Sequence, residues 1–312
     1  MTTERGSYGC VVKPSIPCDK YYQNTVSKIF HDDRYFEEED IITKLIEEKV
    51  DPKHKFTLKK LDKCWVKKMP KKELGECGYR SSKKGEFPKR QIIYEYGGTD
   101  LAKLKEKNYD VKSILPAIYN LVIGLVELEK HRLCHRDIKE TNIVYKDDGL
   151  FYFIDFGLLL SYDNVYDEEQ DFVLKYNYCY YPPEFKLYYN YKLSQQGLSS
   201  ITDVEKFVQR DVKLNYVASE VVFDNNMIDA VVRDVLKRVD NVDVLKMAMI
   251  EQANKIDVFG LGVVLMNLLL KANDKFTDTK IRLLKVLERC VELNPYKRID
   301  PKTLKKEFKA LL

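Results

Sequence analysis

The hydrophobic and polar positions of the chain follow one pattern up to about residue 97 and another beyond it. Short apolar runs at residues 10–12 and 26–30, each bounded by proline or aspartate, predict β-strands. A third run, residues 91–96, stops at the pair Gly97-Gly98, which predicts a strand followed by a turn. The first part of the chain is therefore predicted to be rich in β-strands.

Helical periodicity occurs once in the first part and dominates the second. Residues 37–48 carry isoleucine and leucine at helical spacing, which predicts an amphipathic helix. Residues 111–131 predict a long, largely apolar helix. Residues 142–145 and 151–154 flank an Asp-Asp-Gly turn and predict a hairpin, and helices dominate from about residue 200.

Composition narrows the class of protein. The chain has 312 residues, of which 45% are hydrophobic and 33% charged, so it is expected to build a sizeable core and is not collagen-like or disordered. The net charge is only +4, and no nucleic-acid partner is expected. Residues 53–90 are locally basic, which is more typical of solvated strand faces than of an anion site.

The cysteines and the apolar runs bear on the compartment. Seven cysteines are scattered without a CxxC pair, which predicts reduced thiols in an intracellular protein rather than a disulfide framework. The N-terminal residues lack the apolar stretch of a signal peptide. The longest apolar run, residues 258–270, is too short to span a bilayer and predicts a buried helix, so no membrane is expected.

One short stretch and one triplet carry most of the candidate chemistry. They are His135-Arg136-Asp137-Ile138-Lys139-Glu140-Thr141-Asn142 and, beyond the predicted hairpin, Asp155-Phe156-Gly157. The hairpin can aim Asn142 and Asp155 at one point, and their oxygens are hard ligands that suit Mg²⁺. Lys139 follows Asp137 closely and can place a positive charge on a phosphoryl group. In this order and spacing the residues favour phosphoryl transfer.

Together these motifs resemble those of the eukaryotic-type protein kinases. The resemblance implies an α+β, bilobal fold with a small antiparallel β-rich N-lobe, one regulatory helix, and a larger, mainly helical C-lobe with a helical insertion. It covers nearly the whole chain, so residues 1–312 are expected to form one domain. The N-lobe would span residues 1–96, the hinge 97–100 and the C-lobe 101–312, with the insertion at about 188–253.

The resemblance also implies a site for ATP between the lobes. Residues 6–11 are similar to the glycine-rich loop, although Glu4 stands where the family has its first glycine. Tyr94 matches the gatekeeper, the backbone of Glu95 and Gly97 would bind adenine, and Asp100 would reach the ribose. The implied ATP-binding residues are Gly6, Ser7, Tyr8, Gly9, Val11, Val26, Lys28, Glu95, Gly97 and Asp100.

Lys28 matches the lysine that holds the α- and β-phosphates, and its partner is expected to be a glutamate on the next helix. Glu38 fits best, because Ile41, Ile42 and Leu45 would then face inward. Glu37 and Glu39 remain alternatives.

The resemblance assigns roles to the residues of the central motifs. Asp137 would orient the attacking hydroxyl and accept its proton, and Lys139 would neutralise charge on the transferred phosphoryl group. The implied catalytic residues are Asp137, Lys139, Lys28 and Glu38. Asn142 and Asp155 would hold Mg²⁺, or alternatively Mn²⁺, and ATP is the expected cofactor. A lysine at position 139 resembles the Ser/Thr subgroup of the family.

Other matches point to a protein as the substrate. Glu184 and Arg298 fit a buried structural ion pair, and Asp257 fits an aspartate that supports the catalytic loop. Residues 188–253 exceed the family's usual length here and are either an embellishment or a docking surface for a partner. This insertion, the compact N-terminus and the hinge resemble kinases of large nucleocytoplasmic DNA viruses.

The expected function is therefore a Ser/Thr protein kinase that acts on protein substrates. The main alternative is a pseudokinase scaffold that binds nucleotide or partner proteins without efficient transfer, an alternative motivated by the missing loop glycine. A kinase of small molecules is disfavoured by Pro183, Glu184 and Asp257.

Overall fold

The computed structural model of the chain describes residues 1–79, 89–104, 109–165, 179–182, 184, 247, 249–272 and 277–312. The predicted insertion, residues 188–253, lies almost wholly outside the described residues. The docking surface that it was expected to provide therefore stays a prediction.

Among the described residues of the first part of the chain, five antiparallel strands form one sheet, and three of them coincide with the apolar runs that predicted strands, residues 10–12, 26–30 and 91–96. The strands are β1 (Thr2–Arg5), β2 (Gly9–Lys13), β3 (Thr25–Phe30), β4 (Lys60–Trp65) and β5 (Arg90–Glu95). Their order in the sheet is β1-β2-β3-β5-β4. We call these strands, with the helices attached to them, the sheet region.

The helix of the sheet region, α1, spans Asp33–Leu45 and continues as a π-helical turn, Ile46–Val50. It begins earlier than the apolar periodicity indicated, because the side chain of Asp32 accepts a hydrogen bond from the backbone N–H of Arg34 and caps the helix there. The buried positions on α1 are Phe36 and Glu39, whereas Ile41 is 67% exposed.

After β4, the segment of residues 66–79 folds back over the outer face of the sheet. Within it, the short helix α2 (Lys71–Glu76) lies beside β1. Its neighbours Val66, Met69 and Tyr79 join an apolar cluster with residues of β2 and β3. The hydroxyl of Tyr79 also donates to the carbonyl oxygen of Ile29, at 2.8 Å. This cover gives the sheet a small second core on the side away from α1.

Two disulfide bonds lie on this side of the sheet, one of them to the cover, so the prediction of reduced thiols is wrong for four of the seven cysteines. Cys10 of β2 bonds Cys77, and Cys18 bonds Cys64 of β4. The partners are 67 and 46 residues apart along the chain, and the fold brings their Cα atoms to 5.5 and 5.8 Å. Scattered spacing in the sequence therefore concealed close pairs in space.

In the described residues of the second part, four longer helices pack together. They are α4 (Val111–Lys130), α5 (Ile256–Lys271), α6 (Asp278–Cys290) and α7 (Pro301–Lys309), and the one-turn helix α3 (Leu101–Leu104) precedes them. Short strands accompany them, namely β6 (Thr99–Asp100), β7 (Leu133–Cys134), β8 (Ile143–Tyr145), β9 (Phe151–Phe153) and β10 (Leu160–Ser161). We call this part the helical region; β8 and β9 form the predicted hairpin.

The segment before β4 anchors the sheet region to the helical region. Both carboxylate oxygens of Asp51 accept hydrogen bonds from the backbone of residues 55–57 and shape them into a tight turn. The carbonyl oxygen of Phe56 accepts from the N–H of Phe153 in β9, at 2.9 Å. Gly124 of α4 makes room, since an added Cβ would lie 2.9 Å from the Phe56 ring.

Two helical segments, Val111–Lys130 and Ala253–Lys271, are long and apolar enough to cross a membrane by length and composition. Of their most apolar stretches, 67% and 83% are buried inside the protein. Burial of this kind is what core helices show. Their apolar character is thus explained by the packing of α4 and α5 in the helical core.

The expected pair of Glu184 and Arg298 is confirmed. The guanidinium donates to both carboxylate oxygens, at 2.5 and 3.0 Å, and the two side chains are 1% and 0% exposed. Arg298 also donates to the carbonyl oxygens of Glu292 and Leu293. The pair fastens the residues that precede the insertion to the start of α7.

We predict that Arg298→Met lowers the free energy of unfolding by about 3–5 kcal/mol, because it leaves Glu184 as an unpaired buried charge. Arg289→Met is the matched control, since Arg289 and Glu307 form a surface pair worth about 1 kcal/mol or less. Urea unfolding of both variants measures the difference. Equal losses of unfolding free energy in the two variants would show that the burial of the Glu184–Arg298 pair does not affect its contribution.

We also predict that peptide mapping without reductant recovers Cys10 linked to Cys77 and Cys18 linked to Cys64. Closing the longer loop, of 67 residues, stabilises the fold by about 4 kcal/mol in the chain-entropy estimate, and the second loop is nested in it and adds less. A phosphine reductant should therefore lower the melting temperature. In a variant with serine at all four positions the reductant should have no effect, and a drop there would contradict this origin of the stability.

Candidate active site

The loop between β7 and β8 carries Asp137, and a side chain of α5 supports its backbone. The carboxylate of Asp257 accepts the backbone N–H groups of His135 and Arg136, at 2.6 and 3.0 Å. Arg136 has a φ of 64°, which is unusual for a residue with a side chain and needs such support. The expected role of Asp257 as a support of this loop is therefore confirmed.

Asp137 lies in contact with two other predicted site residues, Lys139 and Asn142. Oδ2 of Asp137 accepts from Nζ of Lys139 and from Nδ2 of Asn142, each at 2.7 Å. Asn142 donates again to the carbonyl oxygen of Asp137, at 2.9 Å. These bonds fix the carboxylate and leave Lys139 partly exposed, with 32% of its side chain in contact with solvent.

Asp155 follows β9 directly and is placed by the hairpin. The N–H of Ile154 donates to the carbonyl oxygen of Asn142, at 3.0 Å. This hydrogen bond brings the backbone just before Asp155 next to the backbone of Asn142, the other predicted metal ligand. Asp155 has a φ of 60°, and its Oδ1 lies 2.8 Å from Nζ of Lys28. Burial favours a higher pKa for Asp155, but the charge of Lys28 outweighs it and holds the pKa below its usual range.

Lys28 bridges the sheet and helical regions. Its ammonium donates to Asp155 and to Oε2 of Glu39. Burial alone would lower the pKa of Lys28, and the negative charges of Asp155 and Glu39 outweigh it, so the pKa is raised and the group stays charged. A buried lysine with two carboxylates around it is the electrostatic centre of this site.

The assignment of Glu38 as the partner of Lys28 is wrong, and the alternative Glu39 is the partner. Phe36 and Glu39 share the inner face of α1, whereas Glu38 is exposed. One residue turns a helix by about 100°, and Ile41, which was expected to face inward, faces solvent. The third candidate, Glu37, instead pairs with Arg90 of β5.

The predicted glycine-rich loop connects β1 and β2 above the site. Gly6 donates its N–H to the carbonyl oxygen of Gly9, at 2.8 Å, and Ser7 is exposed at the tip. Gly9 cannot carry a side chain, because an added Cβ would lie 2.4 Å from the carbonyl oxygen of Ile29. Burial raises the pKa of Tyr8, and the negative charges of Asp155 and Asp137 raise it further.

The inner face of the sheet lines the same space. In the register of the strands, Val11 pairs with Lys28 and Val26 pairs with Tyr94, so all four side chains lie on one face. The opposite face carries Cys10 and packs under the cover. Val11 and Val26 therefore stand beside Lys28, as the resemblance implied.

The predicted hinge follows β5. The side chain of Glu95 accepts from the N–H of Lys59 and from Nζ of Lys146, so its carboxylate is structural and only its backbone can serve a ligand. Gly97 and Gly98 leave no room for a Cβ, and Gly98 has a φ of 88° and would meet the carbonyl oxygen of Tyr145 at 1.9 Å.

Asp100 has a partner of its own. One of its carboxylate oxygens accepts from the N–H of Lys103, at 2.9 Å, and the other lies 2.7 Å from Nζ of Lys103. The same ammonium lies 3.4 Å from the carboxylate of Glu4, the residue that replaces the first loop glycine. The ribose contact implied for Asp100 stays a prediction.

The oxygens around Asp155 fit a divalent cation held jointly with phosphate. The amide nitrogen of Asn142 donates to Asp137, so the amide oxygen is available to a ligand. Lys28 donates to one carboxylate oxygen of Asp155, so the other oxygen is available to a ligand as well. Within the described ranges, no group of three histidine, cysteine, aspartate or glutamate side chains gathers to hold a metal without help. Mg²⁺ is usually bound by a small number of protein oxygens together with phosphate oxygens.

Four residues that the sequence analysis left without a role fasten the catalytic loop. Glu140 is 7% exposed and accepts hydrogen bonds from the hydroxyl of Tyr180 and from Nδ2 of Asn267, the latter at 3.1 Å. Next to Tyr180, the hydroxyl of Tyr181 donates to the carbonyl oxygen of Arg136, at 2.7 Å. In the sequence, Glu140 is recognisable only as an acidic residue beside Lys139, and the local pattern does not indicate that Tyr180 and Asn267 bond it.

Comparison with known proteins agrees with this geometry. Residues 33–226, more than half of the chain, match the family model described as protein tyrosine and serine/threonine kinase. Over 77 residues, 24% of the chain and 25% of the relative, the chain is 35% identical to the cell division control protein 2 homolog 3 of Trypanosoma brucei brucei.

Two further relatives match over similarly short segments. The stress-activated protein kinase JNK of Suberites domuncula is 28% identical over 107 residues, which are 34% of the chain and 29% of the relative. The dual specificity protein kinase zak2 of Dictyostelium discoideum is 30% identical over 92 residues, 26% of the chain and 14% of the relative. The chain thus matches less than a third of the length of each relative, whereas the family model matches more than half of the chain, and on that match the chain belongs to the protein kinase family.

Proposed function

We propose that the protein transfers the γ-phosphate of Mg-ATP to serine or threonine hydroxyls of protein substrates. The observation that carries the proposal is the position of Lys28 between Glu39 and Asp155, together with Asp137 in contact with Lys139 and Asn142. Each of these six residues has a partner among the others, and together they join the sheet and helical regions.

In phosphoryl transfer, one group of these residues would act on the nucleotide and the other on the acceptor. Mg-ATP would supply the transferable group and, through the cation, neutralise its phosphate charge. Lys28 would hold the α- and β-phosphates, with its position set by Glu39. Asn142 and Asp155 would hold the cation. The transition state of such transfers is loose, so positioning and electrostatic stabilisation supply most of the rate.

Asp137 and Lys139 would act on the acceptor side. The carboxylate of Asp137 would accept a hydrogen bond from the attacking hydroxyl, orient it and take up its proton. Lys139 would place its ammonium on the transferred phosphoryl group. The bonds of Asp137 to Lys139 and Asn142 hold the carboxylate ready for this task.

The substrate class is supported by the type of residue at position 139 and by the similarity to two relatives named as protein kinases. A protein substrate also agrees with the buried pair of Glu184 and Arg298, which the sequence analysis associated with protein kinases. The resemblance to kinases of large nucleocytoplasmic DNA viruses stays a prediction.

We predict that Asp137→Asn lowers kcat/KM by about 10²–10⁴-fold, because it removes the proton acceptor. Asp155→Ala should remove nearly all transfer, because it deprives both the cation and Lys28 of a carboxylate. Transfer of radioactive phosphate from ATP to casein measures both effects. Asp163→Asn changes an exposed aspartate, which pairs with Arg132, and should transfer at the wild-type rate.

The same assay separates the proposal from the pseudokinase alternative. A wild-type protein that binds Mg-ATP without labelling casein or itself would be a binding-only scaffold. Labelling by Asp155→Ala at the wild-type rate would show that the activity does not arise at this site.

A further inference from the structure

The hydroxyl of Tyr94 joins two elements of the site. Tyr94 lies on β5, and its hydroxyl donates to Oε1 of Glu39 on α1, at 3.0 Å. Thr43, one turn further along α1, places its own hydroxyl 3.1 Å from the same oxygen of Tyr94. The side chain of Tyr94 is therefore held by the helix at two points.

The two oxygens of Glu39 are divided between two donors. Lys28 donates to Oε2 and Tyr94 donates to Oε1, and in the described part of the chain these are the donors to this carboxylate. Glu39 is only 6% exposed, so water has little access to replace either donor. Loss of one donor leaves a buried charged oxygen unsatisfied, which costs more than a surface hydrogen bond contributes.

Tyr94 is suited to be a permanent donor. Burial raises its pKa well above the ordinary value, and the negative charge of Glu39 raises it further. The phenol therefore keeps its proton throughout the pH range in which a kinase is assayed. Its donation to Glu39 keeps that carboxylate turned toward Lys28.

The contacts from Thr43 to Asp155 form one chain. Thr43 contacts Tyr94, Tyr94 donates to Glu39, and Lys28 donates to both Glu39 and Asp155. We propose that Tyr94 is a positioning residue that fixes the carboxylate of Glu39 and, through it, the ammonium of Lys28 for the phosphates of the nucleotide. This inference rests on the proposed phosphoryl transfer and adds a residue that no chemical step uses.

A purely structural role for Tyr94 makes a different prediction. The ring packs against the apolar cluster of Phe30, Phe36 and Ile92, and phenylalanine would keep that packing. Tyr94→Phe removes only the hydroxyl. If the ring alone matters, this change leaves nucleotide binding as it is.

We predict that Tyr94→Phe raises the KM for ATP by about tenfold, the equivalent of one hydrogen bond to a charged group, and changes kcat less. Glu39→Ala should raise KM at least as much. The double variant, Tyr94→Phe with Glu39→Ala, should behave like Glu39→Ala, because the hydroxyl acts through the carboxylate. Steady-state kinetics with ATP as the varied substrate measures all four proteins.

Two further variants test whether the effect on KM is specific to the hydroxyl of Tyr94. Tyr152→Phe removes a hydroxyl that donates to Asp148 at the far end of the hairpin, and it should leave the KM for ATP unchanged. Thr43→Val keeps the shape of the side chain and should raise KM in the same direction by a smaller factor. It decides the question if Tyr94→Phe does not fold.

Binding of Mg-ADP, measured by calorimetry on the same proteins, is independent of turnover. If the wild type binds Mg-ADP but transfers no phosphate, the proposed function has failed, and the weaker binding expected of Tyr94→Phe still supports the positioning role. Unchanged binding and KM in Tyr94→Phe, or losses that multiply in the double variant, would overturn that role. A wild type that does not bind Mg-ADP would overturn both.

Discussion

The ammonium of Lys28 is the charge around which the candidate active site is arranged. It comes from β3, and its two carboxylate partners come from α1 and from the second residue after β9. Buried charges of this kind are stable only together, because each one left without its partner carries a large desolvation cost. The sheet region, α1 and the helical region therefore depend on a single group for their relative placement at this point. Glu39 is in turn oriented by Tyr94, so the arrangement extends to β5.

Local order along the chain explains why much of the site was predictable. Asp137, Lys139 and Asn142 lie within one turn-rich stretch, and the hairpin that follows fixes where Asp155 emerges. Short loops and a two-strand register leave few alternative geometries. The identity of the glutamate on α1 was less accessible, because neighbouring positions on a helix differ by about 100°. Its phase is set by packing against β3 and β5, and the apolar residues of α1 do not share one face.

Contacts between distant parts of the chain were beyond the reach of the sequence. The disulfide partners come together only because a sheet and its cover bring them side by side. Glu140 is bonded by Asn267, which follows it by 127 residues, and nothing in the local pattern around either residue indicates the contact. Such pairings depend on the tertiary fold, whereas strands, helices and turn motifs are largely specified by short stretches of sequence.

The turn that Asp51 shapes has a mechanical consequence. The sheet region is joined to the helical region at this turn, ahead of β4, and again at Gly98, directly after β5. Lys28 of β3 adds a buried attachment in the middle of the sheet, through Asp155. At the β1 edge the corresponding contact is the exposed ion pair of Glu4 and Lys103, and exposed pairs contribute about 1 kcal/mol or less. The attachments thus weaken across the sheet from β4 toward β1, and the loop that carries Gly6 and Gly9 lies at the weakly attached edge.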